Sequence, residues 1–112
     1  MQKLPENFTT LTHLEELDLS WVNLKELPEN FGDLNKLQKL NLSQNALSSL
    51  PESLGKLAHL QILDLYYNKL SSLPESFKNF KKMTLLQLEG NPLPGSEIQK
   101  IKALLPNCQV VF

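Results

Sequence analysis

The sequence is poor in the residues that several functional classes need. It has one cysteine, Cys108, so no disulfide can form within the chain. All eleven basic residues are lysine, arginine is absent, and the formal net charge is -1. Nucleic-acid-binding proteins normally carry a basic face with arginine at phosphates and base edges, so that class is disfavoured. No apolar run approaches the roughly 18 residues that span a bilayer, so no membrane insertion is expected.

The sequence does contain an internal repeat of 23 residues. Leucine, or methionine in the last copy, recurs at this step, and further leucines follow three, five and ten residues later. The segments with this pattern read LEELDLSWVNL, LQKLNLSQNAL, LQILDLYYNKL and MTLLQLEGNPL. Their first residues are Leu14, Leu37, Leu60 and Met83. Four copies in one unbroken register predict a solenoid of stacked units.

The second half of each unit is a Leu-Pro pair followed by glutamate and then an apolar residue. The pairs begin at Leu4, Leu27, Leu50 and Leu73. Proline fixes φ and donates no backbone hydrogen bond, so this limb is predicted to form short 3₁₀ or irregular turns. Its apolar residues are predicted to fill the core from the convex side; they are Phe8, Phe31, Leu54 and Phe77.

The first half of each unit is predicted to be a strand that ends in a turn. Alternate strand residues point to opposite faces, so Leu17, Leu19 and their equivalents point inward. Asn45, Asn68 and Asn91 follow the strands, and their amides can satisfy backbone groups of the turn and of the adjacent unit. Strands sit about 4.8 Å apart while the convex limbs are bulkier, so the stack should bend with its strands on the concave side.

These motifs resemble the leucine-rich-repeat family. They are most similar to its 23-residue Leu-Pro class, which occurs in Ras-binding scaffolds and in many bacterial members. The ending NPLPGSEIQKIKALLPNCQVVF resembles the C-terminal caps of spirochaete members. The resemblance implies an α/β solenoid: a horseshoe arc with parallel concave strands, irregular or 3₁₀ convex limbs, and a C-terminal helix-plus-strand cap. We divide the single domain, residues 1–112, into a partial repeat (1–13), repeats (14–36, 37–59, 60–82 and 83–95) and a cap (96–112).

The C-terminal cap has its own signals. Ser96 is predicted to be the N-cap of a helix over about 96–105, with Glu97 as an acid in its first turn. Leu105, Cys108 and Val110 imitate the leucines that begin a repeat, so Cys108 should take an inward leucine position. A reactive or metal-binding thiol is the alternative, but a buried small hydrophobe is the better interpretation of a lone cysteine.

The N-terminal end lacks such a cap. The sequence opens on a Leu-Pro limb. Val22 stands at the position that asparagine occupies after the other three strands, and Asn23 comes one residue later. The first strand, near residues 15–20, should therefore be an exposed edge. Two explanations are open: further repeats precede Leu4, or a second copy of the chain covers the edge in an N-terminal homodimer.

Candidate catalytic and metal-binding groups are sparse. His13 and His59 share one repeat position, about 10 Å apart by strand spacing, which is too far for one metal ion to bridge. Asp18 and Asp64 are similarly spaced, as an inverting glycosidase pair would be, but they lie on an open surface where no raised pKa is expected. The four glycines are interpreted as scattered turn residues. We expect no catalytic residue, no metal and no cofactor, and therefore no enzyme.

The outward strand positions provide the candidate binding surface. Ile62 and Leu85 are neighbouring exposed apolar residues, and Trp21, Tyr66 and Tyr67 are the only tryptophan and both tyrosines of the chain. Trp and Tyr are enriched at interface hot spots. For Trp21, shielding of the strand edge is an equally good interpretation. The predicted partner-binding residues are Trp21, Lys39, Ile62, Asp64, Tyr66, Tyr67, Leu85 and Gln87.

Three functions remain open. The first is a protein-interaction module, with a host or envelope protein as partner if the bacterial resemblance holds. The second is a structural role, in which the chain assembles through its N-terminal edge. The third is a targeting arm for an enzyme, as in bacterial effector ligases that resemble it in their repeats. No signal peptide follows Met1, so the compartment stays open, although a bacterial member would be expected to be secreted or at the cell surface.

Overall fold

The computed structural model describes residues 4–112, so positions 1–3 of the predicted partial repeat lie outside it. The described chain has strands of three residues each: β1 Glu16–Asp18, β2 Lys39–Asn41, β3 Ile62–Asp64, β4 Leu85–Gln87 and β5 Gln109–Val111. The 3₁₀ turns are Glu6–Thr10, Phe31–Asp33, Glu52–Lys56 and Glu75–Asn79, and one helix, α1, spans Gly95–Leu104. Across the described residues, no helix has the length and apolar character of a membrane span.

The strands form one parallel sheet in the order β1-β2-β3-β4-β5. Leu17 pairs with Leu40, Leu40 with Leu63, and Leu63 with Leu86, so the 23-residue step sets the register of β1 to β4. Inward leucines of β2 to β4 are 0–1% exposed, while the residues beside them face solvent or are half-buried. The predicted solenoid arc is confirmed, with its strands concave, its 3₁₀ turns convex and a helix and strand at the C-terminal end.

The asparagine ladder holds successive units together after each strand. Asn68 is buried; its Oδ1 accepts from Leu47 N at 3.1 Å, and its Nδ2 donates to Leu42 O at 2.9 Å and Leu65 O at 3.2 Å. Asn45 and Asn91 bond the unit before them in the same way. Each amide thus satisfies backbone groups that the turn would otherwise leave without partners.

The convex limbs form as the prolines predict. Three of the four 3₁₀ turns follow a proline in extended conformation, and buried aromatic rings anchor the limbs to the core. Phe8 stacks on Phe31 with ring centroids 5.8 Å apart, and Phe77 meets Phe80 edge-on at 4.8 Å. The first contact connects neighbouring limbs, the second lies within one limb, and both fill the core opposite the sheet.

Two of the four glycines have a role that the repeat pattern did not reveal. Gly32 and Gly55 lie in the convex turns, where each faces a serine of the next unit. A methyl group at Gly32 would overlap the backbone oxygen of Ser53, and one at Gly55 would lie 2.5 Å from Ser76 Cβ. Gly32 and Gly55 are turn residues, as predicted, but they are not scattered: they share one repeat position, where their missing side chains let adjacent turns touch.

The C-terminal cap matches the predicted helix within one residue but differs in two details. Pro94, not Ser96, is the N-cap, and no side chain caps the helix. The first-turn acid Glu97 instead accepts a hydrogen bond from Leu73 N at 3.1 Å. Lys100 adds an ion pair with Glu75 at 2.7 Å. These contacts attach α1 to the convex limb of the third repeat, residues 60–82.

The predicted position of Cys108 in the cap was wrong. In the observed register Val110 lies beside Leu86, so Val110 takes the inward position that Cys108 was expected to fill. Cys108 lies two residues earlier and is half-buried against the core. A helical limb precedes β5 in place of a 3₁₀ limb, and Val110 follows Leu86 by 24 residues, not 23.

Candidate functional site

The outward side chains of the strands form parallel rows across the concave face. The first row runs through Glu16, Lys39, Ile62 and Leu85, and β5 extends it to Gln109. The second row is Asp18, Asn41, Asp64, Gln87 and Val111. Residues of both rows on β1 to β3 line a hollow of about 390 Å³. The register thus places acidic, basic and apolar groups side by side.

Members of the second row also hold the turns that follow the strands. Asp18 Oδ1 accepts from Ser20 N at 2.9 Å, and Asp64 Oδ1 accepts from Tyr66 N at 3.0 Å. Asn41 and Gln87 make the same bond to the backbone two residues ahead. Hydrogen bonds from the Ser20 hydroxyl and backbone N–H lower the pKa of Asp18 below its ordinary value. Asp or Asn followed by a turn is a recognisable sequence signal for this bond.

The third outward row is not a continuous surface. It contains Ser20, Ser43, Tyr66 and Glu89, and Ser43 is only 8% exposed although it occupies an outward position of the repeat. Tyr66 is half-buried beside it. Ser43 therefore separates Ser20 from the neighbouring pair Tyr66 and Glu89.

The fourth row has left-handed backbone in every repeat. Its φ angles are 58° at Trp21, 60° at Gln44, 53° at Tyr67 and 86° at Gly90. The N–H groups of Trp21, Gln44 and Tyr67 donate to a carbonyl of the next unit at 2.7–3.2 Å, and the next residue is the ladder position. The left-handed residue therefore turns the chain inward without breaking the backbone ladder. Residues with a Cβ adopt this conformation at a cost of roughly 1–2 kcal/mol each.

Two aromatic side chains occupy this unfavourable backbone and remain exposed. Trp21 is 75% exposed and Tyr67 is 53% exposed. The ring of Tyr67 meets Tyr66 edge-on, with centroids 4.6 Å apart, and it also lies over Gly90. A methyl group at Gly90 would lie 2.8 Å from Tyr67 Cδ2, so this ring position requires glycine in the next unit.

The structure brings most of the predicted binding residues together and leaves one apart. Lys39, Ile62 and Leu85 are neighbours in the first row, and Asp64 and Gln87 are neighbours in the second. Tyr66 and Tyr67 follow β3 directly. Trp21 stands two units from Tyr67, roughly 10 Å away by strand spacing.

Two acidic residues of the hollow were missing from the predicted set. Glu16 and Asp18 line it together with Lys39 and Asp64. Their row positions were already evident in the repeat alignment, since Glu16 shares a row with Lys39 and Asp18 with Asp64. The signal that could have identified these two residues was their place in the outward rows and not their residue type.

Groups outside this face have structural contacts. His59 Nδ1 lies 3.2 Å from Lys82 Nζ, where both residues directly precede the next repeat. Burial raises the pKa of the Cys108 thiol. Over residues 4–112, no three His, Cys, Asp or Glu side chains are grouped closely enough to hold a metal ion.

Comparison with known proteins decides the family. A profile described as a leucine-rich repeat region matches residues 31–106, and a second leucine-rich-repeat profile matches residues 5–47. The chain belongs to the leucine-rich-repeat family. A search of curated proteins found no match to this leucine-rich-repeat chain.

Solved leucine-rich-repeat structures extend the comparison. A leucine-rich-repeat protein of Leptospira interrogans is 38% identical, with a TM-score of 0.96 over 99% of this chain. The predicted similarity to spirochaete members is therefore confirmed. The leucine-rich repeat domain of the type III effector XopL is 23% identical, with a TM-score of 0.64 over 97% of this chain, and it shares the fold. This chain spans 28% of the Leptospira protein and 47% of the XopL chain.

Proposed function

We propose that this chain is a protein-interaction module that binds a macromolecular partner on its concave strand face. The observation that carries the proposal is the pair of exposed aromatic side chains, Trp21 and Tyr67, on left-handed backbone. Gly90 occupies the equivalent place in the fourth repeat, so glycine is compatible with this turn. Large aromatic groups where glycine would be less strained indicate a use outside the fold.

The proposed contact surface combines three kinds of side chain. Trp21, Tyr66 and Tyr67 provide aromatic area, Ile62 and Leu85 provide apolar area, and Lys39, Asp64 and Gln87 provide charge and hydrogen bonding. Aromatic anchors surrounded by polar groups are typical of interface hot spots. Similarity to a Leptospira protein supports a host or envelope protein as partner, with the chain secreted or at the cell surface.

A binding role without catalysis is also favoured by the chemistry of the face. Asp18, whose pKa is lowered, and Asp64 each use one oxygen to hold a turn, and neither is buried. A general acid needs a raised pKa, which burial in a cleft would supply. We therefore assign these acids to recognition and not to proton transfer.

Trp21→Gly and Tyr67→Gly should each weaken partner binding by about 2 kcal/mol, roughly 30-fold in Kd. Trp21→Gly should at the same time raise the free energy of unfolding by about 0.5–1 kcal/mol, because glycine relieves the left-handed backbone and little burial is lost. Binding is measured by titration against a partner captured with the wild-type chain from host or bacterial extract. Stability is measured by urea unfolding.

Gln61→Gly is the matched control for this experiment. Gln61 is exposed just before β3, and it is not among the left-handed residues. Glycine there should lower stability by about 0.5–1 kcal/mol and leave partner binding unchanged. Unaltered affinity in both aromatic variants would contradict a concave binding site.

A second candidate function is self-assembly through the N-terminal end. Leu17 and Leu19 are half-buried, whereas their equivalents Leu40 and Leu42 are 1% and 0% exposed. Together with Phe8 and the 41% exposed Leu11, these leucines line a groove of about 250 Å³. A second copy seated there would form a homodimer and cover the edge of β1 that pairs with no other strand within residues 4–112.

If this assembly occurs, the wild-type chain should approach twice its monomer mass in sedimentation equilibrium as its concentration rises. Leu11→Lys should keep the chain monomeric, because it places a charge in the apolar groove. Ala103→Lys, on the exposed side of α1, should dimerise like wild type. Monomer mass for the wild type up to millimolar concentration would end this candidate.

A further inference from the structure

The concave face carries an excess of negative charge that the rest of the molecule does not share. Glu16, Asp18, Asp64 and Glu89 lie on its outward rows, opposed by the single cation Lys39. The other lysines of the described range lie on turns, loops and α1. Eight acids and ten lysines of the sequence lie elsewhere, so the excess of negative charge on this face arises because it carries only one lysine.

The carboxylates of this face are available to a ligand. Within residues 4–112 none of the four forms an ion pair, whereas Glu75, in a convex turn, pairs with Lys100 of α1. Asp18 and Asp64 each use Oδ1 for the turn, which leaves Oδ2 for an incoming donor. The hollow of about 390 Å³ brings Glu16 and both aspartates to one surface.

Aromatic and apolar groups flank these acids. The faces of Trp and Tyr attract cations, and guanidinium groups also stack on them. Trp21 follows Asp18 by three residues, and Tyr67 follows Asp64 by three, so each exposed ring accompanies one aspartate. Ile62 and Leu85 add half-buried apolar area beside Asp64.

We propose that the partner segment bound by this face is an extended peptide with basic side chains about 10 Å apart and apolar side chains between them. The proposal rests on the concave face being the binding site. Each basic side chain would meet one aspartate and the aromatic ring that accompanies it. The two aspartate–ring pairs lie two units from each other, which is roughly 10 Å by strand spacing. Residues three apart in a polyproline II segment project on one side about 9 Å apart, which matches this interval.

A designed probe tests the proposal directly. The fluorescein-labelled peptide Arg-Leu-Pro-Arg-Leu-Pro-Arg is compared with its counterpart that has glutamate in place of arginine. The basic probe should bind at least tenfold more tightly, and its affinity should fall as salt rises from 50 to 300 mM, because the charges are exposed. Equal binding of the two probes would overturn the proposal.

Isosteric variants identify the groups responsible. Asp18→Asn with Asp64→Asn removes two charges but keeps the oxygen that holds each turn, as Asn41 does in the same row. This double variant should bind the basic probe at least tenfold more weakly, and Lys39→Gln should bind it more tightly. Glu29→Gln with Asp33→Asn makes the same change in net charge on exposed convex positions and should bind like wild type. If both double variants lost the same affinity for the basic probe, net charge alone would explain the loss and the proposal would be overturned.

The readouts separate this proposal from the function on which it rests. One outcome is that Tyr67→Gly no longer binds the captured partner while the basic probe does not bind the wild-type chain. The concave face then binds a partner of other chemistry, so the basic-peptide proposal fails and the proposed function stands. If captured partner binds Tyr67→Gly normally, the proposed concave site itself fails.

Discussion

Asn68→Ala should lower the free energy of unfolding by about 4 kcal/mol. The substitution removes the acceptor of Leu47 N and leaves that N–H unsatisfied, whereas Leu42 O and Leu65 O lose one bond each but keep those from Asn45 and Asn91 Nδ2. The unsatisfied N–H costs about 1–3 kcal/mol, and each of the two lost bonds costs about 0.5–1.5 kcal/mol. A domain of this size has a total stability of roughly 5–15 kcal/mol, so urea unfolding would show a large shift of the midpoint.

Two further variants test the cause of that loss. Asn35→Ala, at an exposed asparagine, should change stability by less than about 0.5 kcal/mol. Asn68→Asp keeps the acceptor but directs a carboxylate at two carbonyl oxygens, which raises its folded-state pKa above the unfolded value of about 3.9. The folded state then binds more protons, so this variant should regain stability as pH falls towards 4. If Asn68→Ala lowered the free energy of unfolding no more than Asn35→Ala does, the asparagine ladder would contribute little to stability.

Gly32→Ala should destabilise the fold by about 3 kcal/mol. A Cβ at this position would overlap the backbone oxygen of Ser53, and the Gly32 N–H also donates to Ser53 Oγ at 3.2 Å. Because the obstacle is backbone, relief requires the adjacent 3₁₀ turns to separate along the whole limb. Overpacking of this kind costs about 1–3 kcal/mol, and the high figure applies where neither side can move. Urea unfolding at neutral pH measures the change.

Gly95→Ala is the matched control for the convex glycines. Gly95 begins α1, and a methyl group there would have no atom within 4 Å. Alanine should therefore be neutral or stabilising by up to about 1 kcal/mol, since it restricts the unfolded chain. Gly55→Ala should behave like Gly32→Ala, because its Cβ would lie 2.6 Å from the backbone oxygen of Ser76. Similar small effects at all three glycines would refute close contact between the turns.

The repeat pattern predicted those features that depend on side-chain direction. Inward leucines set the register of β1 to β4, and the asparagine positions predicted the ladder, because both follow from strand alternation and from one recurring polar group. The rows that form the candidate face were predicted for the same reason. Which of their side chains bind a partner stays a prediction.

Features that depend on backbone conformation or close approach could not be read in the same way. Trp21, Gln44 and Tyr67 are not typical left-handed residues, so only Gly90 hinted at the common turn. Gly32 and Gly55 were missed because contact between limbs depends on three-dimensional spacing. The register of Cys108 was missed because Leu105, Cys108 and Val110 imitate the start of a repeat, whereas the helical limb brings Val110, 24 residues after Leu86, to the inward position.

The ladder bonds have a consequence for how such a chain can change in length. Each asparagine oxygen accepts from a backbone N–H 21 residues earlier, and each amide nitrogen donates to a carbonyl 26 residues earlier, in all three copies. Every such bond crosses a single boundary between units. Loss or duplication of one 23-residue segment would therefore rejoin equivalent partners, whereas a change of one residue would mismatch them. Genetic gain and loss of whole units is thus the route by which this architecture can lengthen or shorten while its interior stays intact.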